Sequence, residues 1–543
     1  MKKIEDKIAK GSSTTGAVWV GIGISCSRIS GFIRDIVIAY FFGNSGLADV
    51  WRVALKIPNV IQNLLGEGTL SASVIPIYSE LIQQKEKDTA GRFIGAILGI
   101  LMIVSGVAAL LGMLVVPRLL SSIFVAWDSE KIALAGTLVR ILFPMTAILV
   151  ISAWALAILN SHRRFFLPYC APVAWNGVIV LAVSVMGFFY EVSGEQLLVT
   201  AAWGALAGGI VQVVIQLPTV LTLLTHFKLS LGKAVFGVQE AIKSFIPVVM
   251  ARGVVNISAL LEVVLAALLV EGAVAALGYA QTLYLMPISI FGLSVAAAEL
   301  PELSRKRLAP PDVVKARIEQ ALENIHFWVM PSMFGFLVFG DTIITGIYQR
   351  GEFLITDVPV VYGVLAAYSL GLVASSGSRV LSTGFYALRD TRTPARLAYI
   401  RVTLSLFVGF LLMFPLDELQ SGNLHYGPVG LALGTSLAAW VEYGMLKHHL
   451  KGKLRLDRFE IKGLMRIFGG SCIAAIFTYA VQAVTNLGLS KALPIEGVGG
   501  SLGQPIMAVI VVLSFGASYL VVMDSFGVGW SISRWLKNLQ QVS

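Results

Sequence analysis

The sequence predicts an all-α integral membrane protein with about fourteen transmembrane helices. Of its 543 residues, 56% are hydrophobic and 13% are charged, whereas soluble domains carry about a quarter charged residues. Its mean hydropathy is +0.81. Apolar runs of about twenty residues, each long enough to cross a bilayer as a helix, recur along the chain. An internal repeat then predicts two parallel six-helix lobes around a central cavity, with two further helices at the C-terminus.

The apolar runs define the predicted helices in order. They lie near 14–41, 47–82, 90–116, 132–158, 167–190, 197–225, 236–270, 272–302, 317–346, 357–387, 394–415, 424–447, 463–485 and 504–524. The loops on one side of the membrane are basic, and those on the other side are neutral to acidic. By the positive-inside rule both termini are cytoplasmic, which requires an even number of crossings.

Four pairs of similar positions indicate a duplication. The pairs are Pro58 with Pro287, Pro76 with Pro301, Pro168 with Pro394, and Gly204 with Gly430, all at nearly the same separation. This period spans about six helices, so both halves begin on the same side of the membrane. We therefore predict an N-terminal lobe at 1–230, a C-terminal lobe at 231–450, and a basic linker with the last two helices at 451–543.

The first two predicted helices carry unusually many charges. Their ionisable side chains are Arg28, Arg34, Asp35, Asp49, Arg52, Lys56 and Glu67. A charge near the centre of a membrane helix costs roughly 2.5 to 3.5 kcal/mol, so leaving all of them in lipid would cost on the order of 20 kcal/mol. We expect them to face water, one another or an anionic ligand.

Helical spacing places these residues on shared faces. At about 100° per residue, one stripe of the second helix contains Asp49, Arg52, Lys56, Asn59 and Asn63. Arg28 and Asp35 share a face of the first helix. Two polar stripes on consecutive helices predict one cavity lined by both. The alternative is that individual charges near helix ends reach the interface by snorkelling.

The residue types favour an anionic ligand, because the planar fork of arginine donors matches phosphate. In the second lobe, Arg379 lies mid-helix and is a candidate contact for a ligand, with an intramolecular ion pair as the alternative. Arg252, Asn256 and Glu262 occupy neighbouring faces of the seventh helix. They fit either a cation-coupling site or a structural pair.

Motifs for catalysis and cofactor binding are missing from the sequence. It has no glycine-rich phosphate loop and no histidine or cysteine spacing for a metal. Its three cysteines lie far apart in apolar runs. We expect no enzyme activity, no cofactor and no nucleic-acid partner; any energy coupling would come from Na⁺, H⁺ or the membrane potential.

Five segments carry a resemblance to a known family. They are SRISGFIRD from Ser27, LADVWRVALKIPN from Leu47, GEGTLSASVIPIYSE from Gly66, GIYQRGEF from Gly346 and GFYALRDTRTP from Gly384. With these segments the chain resembles the MurJ/MviN family, the lipid II flippases of bacterial peptidoglycan synthesis. Multidrug and polysaccharide exporters belong to the same superfamily. The resemblance covers essentially the whole chain, including the last two helices.

This resemblance implies two lobes that open alternately to the cytoplasm and the periplasm of the bacterial inner membrane. A cationic cavity would take the diphosphate and sugar-pentapeptide head of undecaprenyl-linked lipid II, and a groove at the last two helices would take the tail. Arg28, Arg34 and Asp35 match the family's essential first-helix charges, and Asp49 and Glu67 match its second-helix acids. The implied partners are this lipid-linked glycan and membrane lipids, and we expect a monomer.

The chain also departs from the family pattern. Gln62 and Asn63 stand where basic residues are usual in the second helix, and Thr282 stands where the eighth helix usually has an arginine. Arg52 or Arg252 could compensate. The departures keep a flippase for another polyprenyl-linked glycan, such as an O-antigen or exopolysaccharide unit, as an alternative. A cation-coupled drug antiporter should have a more acidic cavity, and an enzyme or division scaffold would need a catalytic motif or a soluble domain.

Overall fold

The chain folds into long α-helices. The computed structural model describes residues 2–224, 226–232, 235–292, 310–418, 425–454, 463–492 and 498–527, and within these ranges it contains no strand. The helices pack into two units, Met1–Gly272 and Ala273–Ser543. The prediction of an all-α protein is confirmed.

The described part of the first unit contains nine helices. They are α1 (Lys2–Phe42), α2 (Gly46–Leu65), α3 (Glu67–Ser73), α4 (Ile75–Gln83), α5 (Lys87–Ile123), α6 (Ser129–Ser161), α7 (Phe166–Phe188), α8 (Gly194–Leu223) and α9 (Val238–Ala266). The single helix predicted at 47–82 is therefore three helices. The first break is at Gly66, where the backbone leaves the helical conformation and a side chain would overlap the carbonyl of Gln62.

Helix α6 is the centre of the first unit. It packs against α2, α5 and α8, while α7 packs against α1 and α8. Trp154 of α6 is buried and donates its Nε1–H to the carbonyl of Ile94 in α5 at 3.1 Å. Farther along the contact between α5 and α6, the ring of Phe143 lies against Gly112, where an added side chain would overlap the ring. Close packing and a satisfied indole fix α5 against α6.

The described part of the second unit repeats this plan. Its α-helices are α10 (Ala273–Pro287), which continues as a π-helical turn (Ile288–Gly292), α11 (Pro311–Tyr348), α12 (Val358–Leu370), α13 (Leu372–Ala387), α14 (Arg392–Glu418), α15 (Gly427–Leu454), α16 (Leu464–Ala492) and α17 (Val498–Ser525). A short 3-10 helix (Ile355–Asp357) precedes α12. The helix predicted at 357–387 is broken at Gly371 into α12 and α13. Part of the helix predicted at 272–302 lies outside the described residues.

Helix partners and turns repeat between the units. The pair α7–α8 corresponds to α14–α15, and the packing of α5 on α6 corresponds to that of α11 on α12 and α13. The turn before α7 places Arg163 at φ +59°, and the equivalent turn before α14 places Arg389 at φ +60°. Left-handed backbone is uncommon for arginine. Its recurrence at equivalent positions supports the duplication seen in the sequence.

Glycines at equivalent positions let the repeated helix pairs approach closely. Gly204 and Gly208 of α8 lie against α7, and Gly430 and Gly434 of α15 lie against α14. A Cβ on Gly434 would be 2.5 Å from the backbone nitrogen of Gly409. Small residues at such spacing allow the backbones of membrane helices to meet.

Asp390 joins the turn before α14 to the end of α15. Its carboxylate accepts hydrogen bonds from the backbone N–H groups of Arg392 and Thr393, each at 3.1 Å, and from Lys453 Nζ at 2.6 Å. The hydrogen bond from Lys453 holds the pKa of Asp390 well below its usual range. The resulting stabilisation is present above about pH 4 and is lost only as acid protonates the carboxylate.

The last two helices pack within the second unit on α11. Tyr519 of α17 donates its hydroxyl hydrogen to the carbonyl of Phe327 at 2.6 Å, and Gln482 of α16 donates to Thr342 Oγ1 at 2.8 Å. Gly346 provides room for Ala508. These helices are therefore an integral part of the second unit.

Eleven helices of the described chain are long and apolar enough to cross a membrane. Helix α2 is not among them, because it carries Asp49, Arg52 and Lys56 within its 20 residues. Each of the fourteen predicted segments overlaps a helix or a broken helix in the described residues. Helix α9 packs against α2, α3 and α5. The lobe boundaries at 230 and 450 stay predictions.

We expect Gly434→Ala to destabilise the protein, because the new methyl group would meet backbone that no rotamer change can move. Overpacking of this kind costs about 1 to 3 kcal/mol, so thermal unfolding in detergent should occur several degrees lower. Gly444→Ala on the same helix is the control, since nothing lies within 4 Å of its added Cβ. Equal melting temperatures for the two variants would contradict the close approach of α14 and α15.

Candidate functional site

Three of the charged residues predicted on α1 and α2 meet at one point, where Arg34 and Arg52 both contact Asp35. The side chain of Asp35 is 3% exposed. Its Oδ1 accepts hydrogen bonds from Arg34 Nη2 and Nε at 2.8 and 3.1 Å, and its Oδ2 accepts one from Arg52 Nη1 at 3.2 Å. We call Arg34, Asp35 and Arg52 the Asp35 cluster. Two guanidinium groups share one carboxylate, so the Asp35 cluster carries a net positive charge.

Helix α7 orients Arg34. Its Nη1 donates to Asn176 Oδ1 at 3.1 Å, and Asn176 Nδ2 in turn donates to Ser30 Oγ at 2.9 Å. The guanidinium carbon lies 5.3 Å from the centre of the Trp175 ring, within the range of a cation–π interaction. The ring, the amide and the carboxylate hold Arg34 in one orientation.

Both arginines of the Asp35 cluster keep part of their surface exposed. The side chains of Arg34 and Arg52 are 16% and 17% exposed. Their charges interact strongly because little water screens them. Removing either arginine would leave the buried carboxylate with less compensation, which is costly in such surroundings.

A second polar region lies between α2–α3 and α9. At its middle, Asn63 Nδ2 donates to Asn256 Oδ1 at 3.0 Å. The residues of the two helices pair in antiparallel order, with Lys56 near Glu262 and Glu67 near Arg252 on either side of this bond. We call this set the polar seam: Lys56, Asn63, Glu67, Arg252, Asn256 and Glu262.

The backbone at the start of α3 accommodates Arg252 of the polar seam. Its guanidinium lies directly on Gly68, where any side chain would overlap it. The carbonyl of Arg252 accepts a hydrogen bond from Asn256 Nδ2 at 2.9 Å. Arg252, Asn256 and Glu262 thus face polar residues of α2 and α3, and a structural pair among them stays a prediction. Their cation-coupling role stays a prediction.

Asp49 lies in a separate contact at the start of α2. It is buried, and its Oδ2 accepts hydrogen bonds from Lys131 Nζ at 3.2 Å and from the backbone N–H of Gly272 at 2.9 Å. Lys131 also lies 3.6 Å from Glu271 and 4.6 Å from the centre of the Trp127 ring. Asp49 shares the predicted stripe with Arg52, but its contacts attach the segment after α9 to α2 and α6. Ligand binding by Asp49 stays a prediction.

The remaining predicted residues lie outside these three groups. Arg28 is exposed and forms no ion pair within the part of the chain that the structure describes. Asn59 is half-buried on α2, and Arg379 is exposed on α13 of the second unit. Thr282 donates its hydroxyl hydrogen to the carbonyl of Gly278 at 3.0 Å. Roles in ligand binding stay predictions for Arg28, Asn59 and Arg379.

Sequence reasoning missed three residues that shape the site. Asn176 and Trp175 hold Arg34, and Lys131 pairs with Asp49. An amide beside a tryptophan inside the apolar run of α7 is a weak signal, because single polar residues are common in membrane helices. Lys131 follows a short loop and resembles an interfacial residue in the sequence. Only the packing of α6 and α7 shows their partners.

The site is rich in cationic side chains. The side chains of Arg34 and Arg52 are partly exposed, and Lys56 and Arg252 add further cations on α2 and α9. Among the described residues, no group of three His, Cys, Asp or Glu side chains could hold a metal ion. Fixed guanidinium groups suit an oxyanion such as a phosphate ester or diphosphate.

Known structures share the fold. A chain described as "Lipid II flippase MurJ, inward closed conformation" superposes with a TM-score of 0.74 at 23% identity, covering 94% of this chain and 99% of that one. An inward-facing transporter of the multidrug resistance MATE family in the MOP superfamily gives a TM-score of 0.64 at 14% identity, over 80% and 96% of the two chains. At these identities the likeness shows the fold alone.

Comparisons of the amino-acid sequence are more specific than the structural comparisons, because they show the family as well as the fold. The chain is 28% identical over 505 residues to a Vibrio cholerae protein named "Probable lipid II flippase MurJ", covering 90% of this chain and 93% of that one. A Rhizobium tropici protein of the same name is 30% identical over 440 residues, 78% of each chain. The family model described as "Lipid II flippase MurJ" matches residues 38–502. The chain therefore belongs to the MurJ family.

Proposed function

We propose that this chain flips lipid II, the polyprenyl-diphosphate-linked precursor of peptidoglycan, from the cytoplasmic to the periplasmic leaflet of the bacterial inner membrane. The Asp35 cluster is the observation that carries this proposal. It places two oriented guanidinium groups, one on α1 and one on α2, on a single buried carboxylate. Family membership supplies the substrate class, and the cluster supplies chemistry that suits its diphosphate.

The arginines fit a diphosphate for two physical reasons. A guanidinium donates several parallel hydrogen bonds to phosphate oxygens, and the partial burial of Arg34 and Arg52 limits competition from water. Asp35 keeps the empty site from carrying two uncompensated charges. An arriving diphosphate would have to replace part of the present contacts of these guanidinium groups, because Arg52 Nε and Nη2 are buried and all three guanidinium nitrogens of Arg34 donate to Asp35 or Asn176.

Transport in this proposal alternates the access of the site between the two sides of the membrane and forms no covalent bond. A gradient of Na⁺ or H⁺, or the membrane potential, would supply the driving force. The basic loops support cytoplasmic termini. We further propose that the chain acts as a monomer and that it is not an enzyme.

A second candidate is a flippase for another polyprenyl-linked glycan. Asn63 and Thr282, which stand where the family usually has cations, each form neutral hydrogen bonds here. The cations of the polar seam lie at other positions. A different head group could use this arrangement, while the diphosphate common to both substrates would still bind the Asp35 cluster.

We expect expression of this chain to restore growth of bacteria depleted of their own lipid II flippase. Arg34→Ala and Arg52→Ala should each lower this rescue roughly 10- to 100-fold, because a charge-assisted hydrogen bond contributes about 1.5 to 3 kcal/mol. Colony counts at equal membrane abundance provide the measurement. Arg92→Ala is the control, since Arg92 is exposed and pairs only with the neighbouring Asp88 among the described residues. Full rescue by both cluster variants would exclude the Asp35 cluster as the diphosphate site.

Exchanging the charges of Lys56 and Glu262 tests whether these two residues of the polar seam interact. Lys56→Glu and Glu262→Lys should each reduce rescue, because each places like charges together across α2 and α9. The double variant Lys56→Glu/Glu262→Lys should recover part of the loss, with a coupling of roughly 0.5 to 3 kcal/mol in thermal stability. Complementation and detergent melting curves measure both effects. Additive losses in the double variant would show that Lys56 and Glu262 do not interact.

A further inference from the structure

Arg140 is a charged residue of α6 that the sites described above do not use. Helix α6 is one of the helices long and apolar enough to cross a membrane, and Arg140 is the twelfth of its 33 residues. The side chain is exposed and forms no ion pair within the part of the chain that the structure describes. A cation inside a membrane helix is expensive to keep unless a partner compensates its charge.

Arg140 lies on an outer face of α6, between α5 and α8. Helix α5 packs at Gly136, helix α8 packs at Met145, and α2 packs at Thr146, whose hydroxyl donates to the carbonyl of Pro58. At about 100° per residue, Arg140 therefore points between α5 and α8 and away from α2. The other residues along this face are exposed or half-buried, namely Ala133, Thr137, Pro144, Ala147 and Ile151. The face is a largely apolar stripe that contains one cation.

The acidic residues of these three helices are too far away to pair with Arg140. Helices α5, α6 and α8 contain one acidic residue each, Asp88, Glu130 and Glu195, and each is the second residue of its helix. Glu130 is about 15 Å from Arg140 along α6. Helix α8 runs beside α6 in the same direction, which places Glu195 at a similar distance, and α5 is antiparallel, so Asp88 lies near the opposite end. The counter-charge must come from outside these helices.

The internal repeat indicates that the fold does not need this charge. Arg140 corresponds to Ala366 of α12, at the separation that also relates Gly204 to Gly430. Helix α12 packs against α11 and α15, as α6 packs against α5 and α8. The same helix arrangement thus forms with a small neutral side chain at this position. The cost of keeping a charge in the first unit therefore favours a binding role over a structural one.

The depth of Arg140 along α6 matches the level of lipid headgroups. A helix of 33 residues is about 50 Å long, whereas the hydrocarbon core of a bilayer is about 30 Å thick. A helix of this length that is centred in the bilayer extends about 10 Å beyond the core at each end. The Cα of Arg140, about 16 Å from the start of α6, then lies about 6 Å inside the core boundary. The long arginine side chain can span this depth and place its guanidinium beside the phosphates.

We propose that Arg140 binds the phosphate of a membrane phospholipid whose acyl chains lie along the exposed face of α6. The guanidinium supplies parallel donors that match phosphate oxygens. Thr137, one turn away, donates its hydroxyl hydrogen to the carbonyl of Ala133 at 3.0 Å, so Arg140 is the group on this face that recognises the headgroup. Because Arg140 points away from α2, the site is separate from the Asp35 cluster, and the inference does not rest on the proposed substrate.

Native mass spectrometry of the full chain in detergent tests this proposal by counting bound lipids. The first dioleoylphosphatidylglycerol should bind Arg140→Gln roughly 10- to 100-fold more weakly than the wild type, because a charge-assisted hydrogen bond is lost. Arg140→Lys keeps the charge without the planar fork and should lie between them. Arg92→Gln on α5 is the control and should bind as the wild type does, since the exposed Arg92 pairs with Asp88. Equal affinities for the wild type and Arg140→Gln would overturn the proposal.

Two further probes distinguish a phospholipid from its separate parts. Dioleoylglycerol carries the same acyl chains without a phosphate, and inorganic phosphate carries the anion without the chains. Phosphatidylglycerol should raise the melting temperature of the wild type more than either probe, and Arg140→Gln should lose this difference. An equal rise with dioleoylglycerol would mean that acyl chains alone occupy the face, and an equal rise with inorganic phosphate would mean a site for free anions. Either result would overturn the proposal.

Discussion

The first unit depends on keeping the buried carboxylate of Asp35 charged where α1, α2 and α7 meet. Arg34 and Arg52 stabilise Asp35 there by donating to both of its oxygens. These bonds fix α1 against α2, and the contacts of Arg34 with Asn176 and Trp175 fix α7 against both. The same interactions that stabilise the packing therefore orient the cations. The packing and the proposed anion site thus share one arrangement of side chains.

Two other charged contacts of the first unit lie near the two ends of α2. The chain leaves the helical conformation at Gly66, and Gly68 then provides the flat surface on which Arg252 lies. A side chain at position 68 would displace Arg252 from this surface. At the opposite end of α2, Asp49 binds Lys131 and the backbone of Gly272. The middle of α9 and the segment after it are thereby attached to α2 and α3 by polar contacts.

The two units show how a duplicated fold can diverge in its polar residues. Glycines and left-handed turns are retained at equivalent positions, because close helix packing and tight turns tolerate few substitutions. Interior polar groups are freer to change as long as each has a partner. The presence of Arg401 where the first unit has Trp175, and of Glu442 where it has Gln216, is such a change. It places an ion pair where the first unit has an amide–hydroxyl bond.

The sequence by itself determined the class of fold, the order of the membrane helices, the repeat and the helices that carry the charges. These follow from the length of apolar runs and the cost of charge in lipid, which are local properties. It also indicated that the charges of the first two helices need partners. Only the tertiary structure decided that Asp49 binds Lys131 although it shares a face with Arg52. The position of a residue in a helical stripe specifies the direction in which its side chain faces around the helix axis. The partner of that side chain depends on which helix packs against that face. Contacts between residues that are distant in the chain determine this packing.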